Sequence, residues 1–396
     1  MTTAAAVGAL PWLKPGGPAN IAPADVFMGL SMASCVLWAT ASRHALRFPY
    51  IVAMLFFLAG GTVGALVGPV AGHSAVAIVQ DLWLYVWCWT VANLASSAGR
   101  LKVLLAAWAY SATAWATMLV VALAAGWSSL AGRSADEATR TTLTFGDPSY
   151  SASYYFISIM IIWATGYPRR RSVRMAAYAV LIVAILSTGS NSGLVSLTVG
   201  VAVATVLGVL QRRGPMPAIA VAAVLLAGGY LVASNVSVKE VQDSARTSQH
   251  GFLRDGIGRS GDSASLRDQL LHESLGLAKV GGPLGQGPGS TKPRLDAEMA
   301  PVVKEAHDDY LASLLERGLL GVLGLVVLLS SLTIRAVPLA LARLTRGFGS
   351  IIARPNALVG AAAGTIIAMS VYELLHVRHV WALFGLLAAV SIWGRD

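Results

Sequence analysis

Apolar residues in this chain gather into long unbroken runs, and Arg, Lys, Gly and Pro concentrate in the short segments between them. A bilayer core takes roughly 20 helical residues per crossing. Runs of that order fall at 21–41, 49–67, 74–95, 101–127, 149–167, 173–188, 193–210, 217–233, 308–333, 355–372 and 380–393. The pattern predicts an all-α, polytopic transmembrane helical bundle of about eleven spans. The apolar stretch from Val173 to Leu210 is interrupted by Ser187-Thr188-Gly189-Ser190-Asn191-Ser192-Gly193. That interruption is too polar to lie passively in hydrocarbon and reads as a tight hairpin between two crossings.

One region breaks the pattern. From about 234 to 307 charges of both signs and a glycine cluster replace the apolar runs, over a length that in a compact protein signals function or disorder. Four regions follow: N-terminal transmembrane helices over 1–130, central helices with the polar hairpin over 131–233, a long loop over 234–307 carrying short amphipathic helices, and C-terminal transmembrane helices over 308–396.

Composition agrees with the pattern: 56% of residues are hydrophobic and 12% charged, which marks a polytopic membrane protein. The net charge of +10 does not point to nucleic acid, because about half of the basic residues sit in short loops where they act as topology signals. Arg43, Arg47, Arg100, Lys102, Arg169, Arg170, Arg171, Arg174, Arg212, Arg213 and Arg335 fall on one side, together with Arg343, Arg346, Arg354 and Arg395. Only Lys14, Arg133, Arg140 and Arg378 fall on the other. The first side is therefore expected to be cytoplasmic, with the 234–307 loop and the N-terminus outside. A cleaved signal peptide is not expected, since no basic segment followed by an apolar one opens the chain. Cys35 and Cys88 both lie inside apolar runs and read as packing residues.

Candidate chemistry clusters around the loop. A run from Ser263 through Arg267 to Ala278 has helical apolar spacing and reads as an amphipathic helix on the membrane. The glycine-rich segment from Gly281 to Ser290 offers backbone amides to a polar or anionic ligand, or is a flexible linker. Glu305-Ala306-His307-Asp308-Asp309-Tyr310-Leu311 places an imidazole where this charged segment meets an apolar helix. Imidazole titrates near neutral pH, so His307 suits proton transfer. Asp81 and Glu316 lie within or near predicted spans, where an ionisable group is costly unless paired or facing a wet cavity. Glu316 has Arg317 beside it, whereas Asp81 has no sequence neighbour of opposite charge. Tyr154, Tyr155, Trp83, Trp87 and Trp89 fit core or interfacial packing better than sugar stacking. His376 and His379 without a third ligand are a weak metal pair.

The order of these elements resembles the O-antigen ligase and polymerase superfamily. The matching residues are Leu266-Arg267, Gly282-Pro283-Leu284-Gly285-Gln286-Gly287, His307-Asp308-Asp309-Tyr310-Leu311 and Leu315-Glu316-Arg317-Gly318-Leu319-Leu320-Gly321. Phe145-Gly146-Asp147-Pro148-Ser149-Tyr150 and Ser190-Asn191-Ser192-Gly193 precede them. The resemblance runs from about Phe145 to Gly321; the first 130 residues share only their helical spans. It implies a metal-independent, inverting membrane glycosyltransferase of the cytoplasmic (inner) membrane, working on its outer face. Such an enzyme takes a glycan from a polyprenyl-diphosphate-linked donor to an acceptor hydroxyl and needs no cofactor. On that resemblance His307 is the catalytic base or an acceptor positioner. Arg267, with Arg378 and Asn191, is the expected diphosphate ligand, since a guanidinium offsets charge growing on the leaving group. Asp308, Tyr310 and Glu316 are supporting residues, Asp308 either orienting the imidazole or capping the helix. The chain departs from the family at Asn191, where the family usually carries arginine, and an amide cannot neutralise a phosphate. Two other classes remain open at this point: a polysaccharide or lipid-linked-glycan transporter or flippase, and a non-catalytic partner in envelope assembly.

Overall fold

The computed structural model describes residues 1–13, 21–132, 141–235, 240, 243–244, 247–248, 272–277, 282–297, 308–341 and 344–394. Arg267 and His307 lie outside the described residues. Helices follow one another as α1 (Thr2–Gly8), α2 (Pro23–Ser42), α3 (Ile51–Val67), α4 (Ala71–Leu94), α5 (Ala98–Ala124) and α6 (Ser128–Ala131). Next come α7 (Pro148–Thr165), α8 (Arg171–Thr188), α9 (Asn191–Arg213), α10 (Pro215–Asn235), α11 (Thr291–Ala297), α12 (Asp309–Leu341), α13 (Arg346–Gly349), α14 (Pro355–Ala368) and α15 (Arg378–Trp393). No strand occurs among the described residues.

Each of the eleven predicted apolar segments is helical here, with ends displaced by four residues or fewer except at the end of α12, which runs eight residues further. Six are long and apolar enough to cross a membrane: α2, α4, α5, α8, α9 and α12. Four apolar helices are shorter, namely α3, the first part of α10, α14 and α15. The chain is a multi-pass membrane protein.

Three helix pairs carry the packing: α14 on α9, α12 on α3, and α15 on α4. Small residues let the backbones close. A Cβ on Gly360 of α14 would stand 2.3 Å from the Gly200 carbonyl oxygen of α9, the close approach that packs membrane helices when lipid tails supply no hydrophobic drive. Helix α7 lies at the centre, with Tyr154, Tyr155 and Phe156 fully buried, so the packing reading of those tyrosines stands. Cys35 and Cys88 are buried and unbonded. An element absent from the sequence reading is α1, whose Ala6 and Val7 are fully buried with Leu10. Trp115 of α5 donates its indole N–H to the Gly8 carbonyl at 2.9 Å.

The polar hairpin is a tight α8–α9 turn, as expected, and a buried one. Gly189 takes a left-handed φ of 58°, and Ser190 caps α9 while its hydroxyl donates to Ser149 at 3.1 Å. Hydroxyls of Thr141 and Ser187 pair at 2.9 Å. Serine and threonine thus satisfy one another where water is excluded.

Candidate active site

Helix α12 is broken near its start, and the break organises the site. Gly318 takes φ 62° and ψ −155°, a conformation open to glycine at low cost. Breaking the helix frees carbonyls that would otherwise accept from residues four further on. The Gln286 amide donates to the Leu315 carbonyl at 3.0 Å, the Gly287 amide to Glu316 at 2.8 Å, and the Leu319 amide to Pro283 at 2.8 Å. The glycine-rich segment is therefore neither a linker nor an open cradle at these positions: two of its amides are spent splicing α12. Glycine is needed at Gly287 (φ 92°), where a Cβ would lie 2.3 Å from the Ser74 hydroxyl. Above the break, Leu311, Ala312 and Leu315 pack with Leu277 and Leu295, a small apolar cluster separate from the main core.

The break presents Glu316 and Arg317 to a cavity of about 520 Å³, within the size range of ligand pockets. Its walls come from α4 (Gln80, Asp81, Trp83), the first turns of α12, the Pro288–Gly289 turn, Tyr150 of α7, and the segment from Glu373 to Arg378. Arg317 Nη2 donates to Asp81 Oδ2 at 2.6 Å, and its Nη1 lies 3.8 Å from Glu316 Oε2. Thr291 donates to the other Glu316 oxygen at 3.0 Å. Asp81, which had no partner in sequence, thus finds its cation on a helix far along the chain.

Arg378 lines the same cavity but is held by Asp25 through two bonds, Nε to Oδ1 at 2.7 Å and Nη2 to Oδ2 at 2.5 Å. Asp25 also accepts from the Ala22 amide at 2.8 Å and the Trp83 indole at 3.2 Å. His376 Nε2 hydrogen-bonds the Tyr150 hydroxyl, and His379 Nε2 lies 2.6 Å from the Ser153 hydroxyl. The two imidazoles point to different partners, and no group of three possible metal ligands occurs among the described residues.

The remaining expected site residues separate. Asp308 caps α12, accepting from the Tyr310 and Leu311 amides at 2.7 and 3.2 Å. Burial pushes its carboxyl upward from the ordinary range, opposed by those two bonds. Tyr310 donates its hydroxyl to the Ile366 carbonyl at 3.0 Å, tying α12 to α14. Asn191, the first residue of α9, is exposed and does not line the cavity. Sequence reasoning missed Asp309, which is 3% exposed and accepts from the Leu374 and Leu375 amides at 2.7 and 3.1 Å. It pins the segment carrying His376 and Arg378 to the start of α12. A second acid beside a helix cap was its only trace in the sequence.

Residues 176–326 match the family model described as O-antigen ligase. That segment is thus similar to the O-antigen ligase and polymerase superfamily. A comparison with curated proteins gives no match. The O-antigen ligase match begins in α8 and ends in α12 beyond the break, so it takes in the buried hairpin, the glycine turn, Arg267 and His307. The walls of the cavity supplied by α4, Tyr150 and residues 373–378 lie outside the matched segment.

Proposed function

We propose that this O-antigen ligase relative is a membrane glycosyltransferase that moves a glycan from a polyprenyl-diphosphate-linked donor to an acceptor hydroxyl at the outer face of the cytoplasmic membrane. The observation that carries the reading is the family match across the segment that holds Arg267, His307 and the cavity-lining start of α12. A cavity with paired charges, aromatic rings and an imidazole at one end of a helical bundle supports it.

In this reading His307 takes the proton from the acceptor hydroxyl as its oxygen bonds to the anomeric carbon with inversion. The bond from that carbon to the diphosphate breaks, and the polyprenyl diphosphate leaves with the electron pair. Arg267 offsets the charge that grows on the departing phosphate. Arg378 is a weaker choice for that role than the sequence implied, because Asp25 already neutralises its fork. Arg317 is likewise committed to Asp81 and Glu316 and serves to order the cavity wall. Basic loops at the opposite ends of the helices favour the cytoplasm on that side, which supports an outward-facing cavity.

The test is to give purified protein a polyprenyl-diphosphate oligosaccharide with a panel of hydroxyl acceptors and follow the mass of each acceptor. The expected result is one acceptor gaining glycan, with loss of about a hundredfold or more in rate for His307→Ala. Transfer unchanged in a well-expressed His307→Ala protein removes the assigned base. No transfer to any acceptor, with donor moved across a vesicle membrane instead, replaces the enzyme by a transporter.

A further inference from the structure

At the end of the bundle away from the cavity, two arginines and three rings form a continuous ladder. Arg100, at the start of α5, lies 4.2 Å over the Trp38 ring of α2. Trp38 lies 4.5 Å from His44, and His44 lies 5.4 Å from Trp393 at the end of α15. Arg47 closes the series 5.9 Å from the Trp393 ring.

The ladder is held from beneath. Fully buried Asn93 accepts from the Arg47 amide and donates to the Arg47 carbonyl, both at 2.8 Å. The Trp393 indole donates to the Ala92 carbonyl at 3.1 Å. Ser97 accepts from Arg100 Nε at 3.1 Å.

Its charge is left open. Among the described residues no carboxylate pairs with Arg47 or Arg100, and Arg100 Nε is the one guanidinium N–H of the two that meets a protein acceptor. The buried Nε2 of His44, between the two tryptophans, also has no hydrogen-bond partner. Two planar forks fixed over aromatic faces, with all but one of their donors unspent, suit the oxygens of a phosphate. Adjacent to them in the chain are Leu37, 69% exposed, and Phe48, 55% exposed, apolar residues suited to an acyl chain. Tryptophan belongs at headgroup depth, and basic pockets between helix ends take anionic lipid.

We infer that the Arg100–Trp38–His44–Trp393–Arg47 ladder is a binding site for the phosphate headgroup of an anionic glycerophospholipid. The site is separate from the candidate active site and does not depend on the proposed function.

The full chain, purified and exchanged into a mixture of phosphatidylglycerol and phosphatidylcholine, is analysed for retained lipid by native mass spectrometry, and its melting temperature is followed in each lipid alone. Retention of phosphatidylglycerol over phosphatidylcholine is expected, with a higher melting temperature in phosphatidylglycerol. Affinity should fall about fivefold for each of Arg47→Gln and Arg100→Gln. The single variants are paired with Arg47→Lys and Arg100→Lys, which keep the charge and should retain most of the lipid if a substitution to glutamine harms folding. Equal retention of the two lipids by the wild-type protein overturns the site outright. So does an anionic-lipid effect that persists in the folded Arg47→Gln, Arg100→Gln double variant. A melting shift reproduced by inorganic phosphate in phosphatidylcholine assigns the ladder to a free anion and overturns the lipid.

Discussion

At the cavity end Arg317 and Arg378 each meet a carboxylate at 2.6 Å or closer, whereas at the opposite end Arg47 and Arg100 meet tryptophan rings. The two ends solve the same problem differently. A guanidinium folded into a protein wall loses water and needs an anion from the chain itself; one at the rim keeps access to water and headgroups, so a π face is enough to orient it. Pairing inside the cavity also has a chemical consequence. It leaves the cavity wall ordered, with more carboxyl groups than guanidinium groups, so that in the proposed reaction positive charge for a phosphate comes from residues of the 234–307 segment.

The strongest way to break this contrast is to remove the helix break. Gly318→Val places a branched side chain at φ 62°, and its Cβ would stand 2.3 Å from the Pro283 carbonyl oxygen. A loss of about 4 kcal/mol is expected from backbone strain and overpacking together. It should appear as a collapsed peak in fluorescence size-exclusion or a sharply lowered midpoint in unfolding; a wild-type midpoint would mean that the splice does not hold α12.

A smaller effect is expected from Arg317→Met, which strands Asp81 and Glu316 in a wall where their side chains are 17% and 11% exposed. About 3 kcal/mol is expected, toward the low end for breaking a buried pair because some water reaches it. Adding Asp81→Asn should recover part of that loss, and a thermal double-mutant cycle reads the recovery. Strict additivity would show the pair to be idle.

The smallest effect belongs to the other end. In phosphatidylcholine, where no anionic headgroup is present, Arg47→Gln should cost about 0.5 kcal/mol, the worth of an exposed cation–π contact. A loss there as large as that of Arg317→Met would erase the distinction between the two ends.

What the sequence disclosed follows the range of the forces involved. The apolar helices, six of them long enough to cross a membrane, were legible because hydrocarbon imposes one local rule on every stretch of chain that enters it. Asp308 as a cap was legible for the same reason, since the amides it serves are its neighbours. Asp25 with Arg378 and Asp81 with Arg317 were not, because each pair joins helices far apart in the chain and neither partner carries a local mark of the other. The glycine segment was misread in kind: its glycines were taken as room for a ligand or for motion, and those at the splice are room for the backbone of α12. The hairpin shows the reverse case. Its polarity was read correctly as a turn, but nothing local told that Ser190 turns inward to Ser149 while Asn191 faces outward.

The splice at Gly318 also sets a depth. Residues 319–341 extend about 34 Å at the helical rise, and a bilayer core is roughly 30 Å thick. The portion of α12 beyond the break is alone long enough to cross such a core. The turns that carry Asp309, Glu316 and Arg317 are then not needed for the crossing, which leaves them to shape the wall of the cavity.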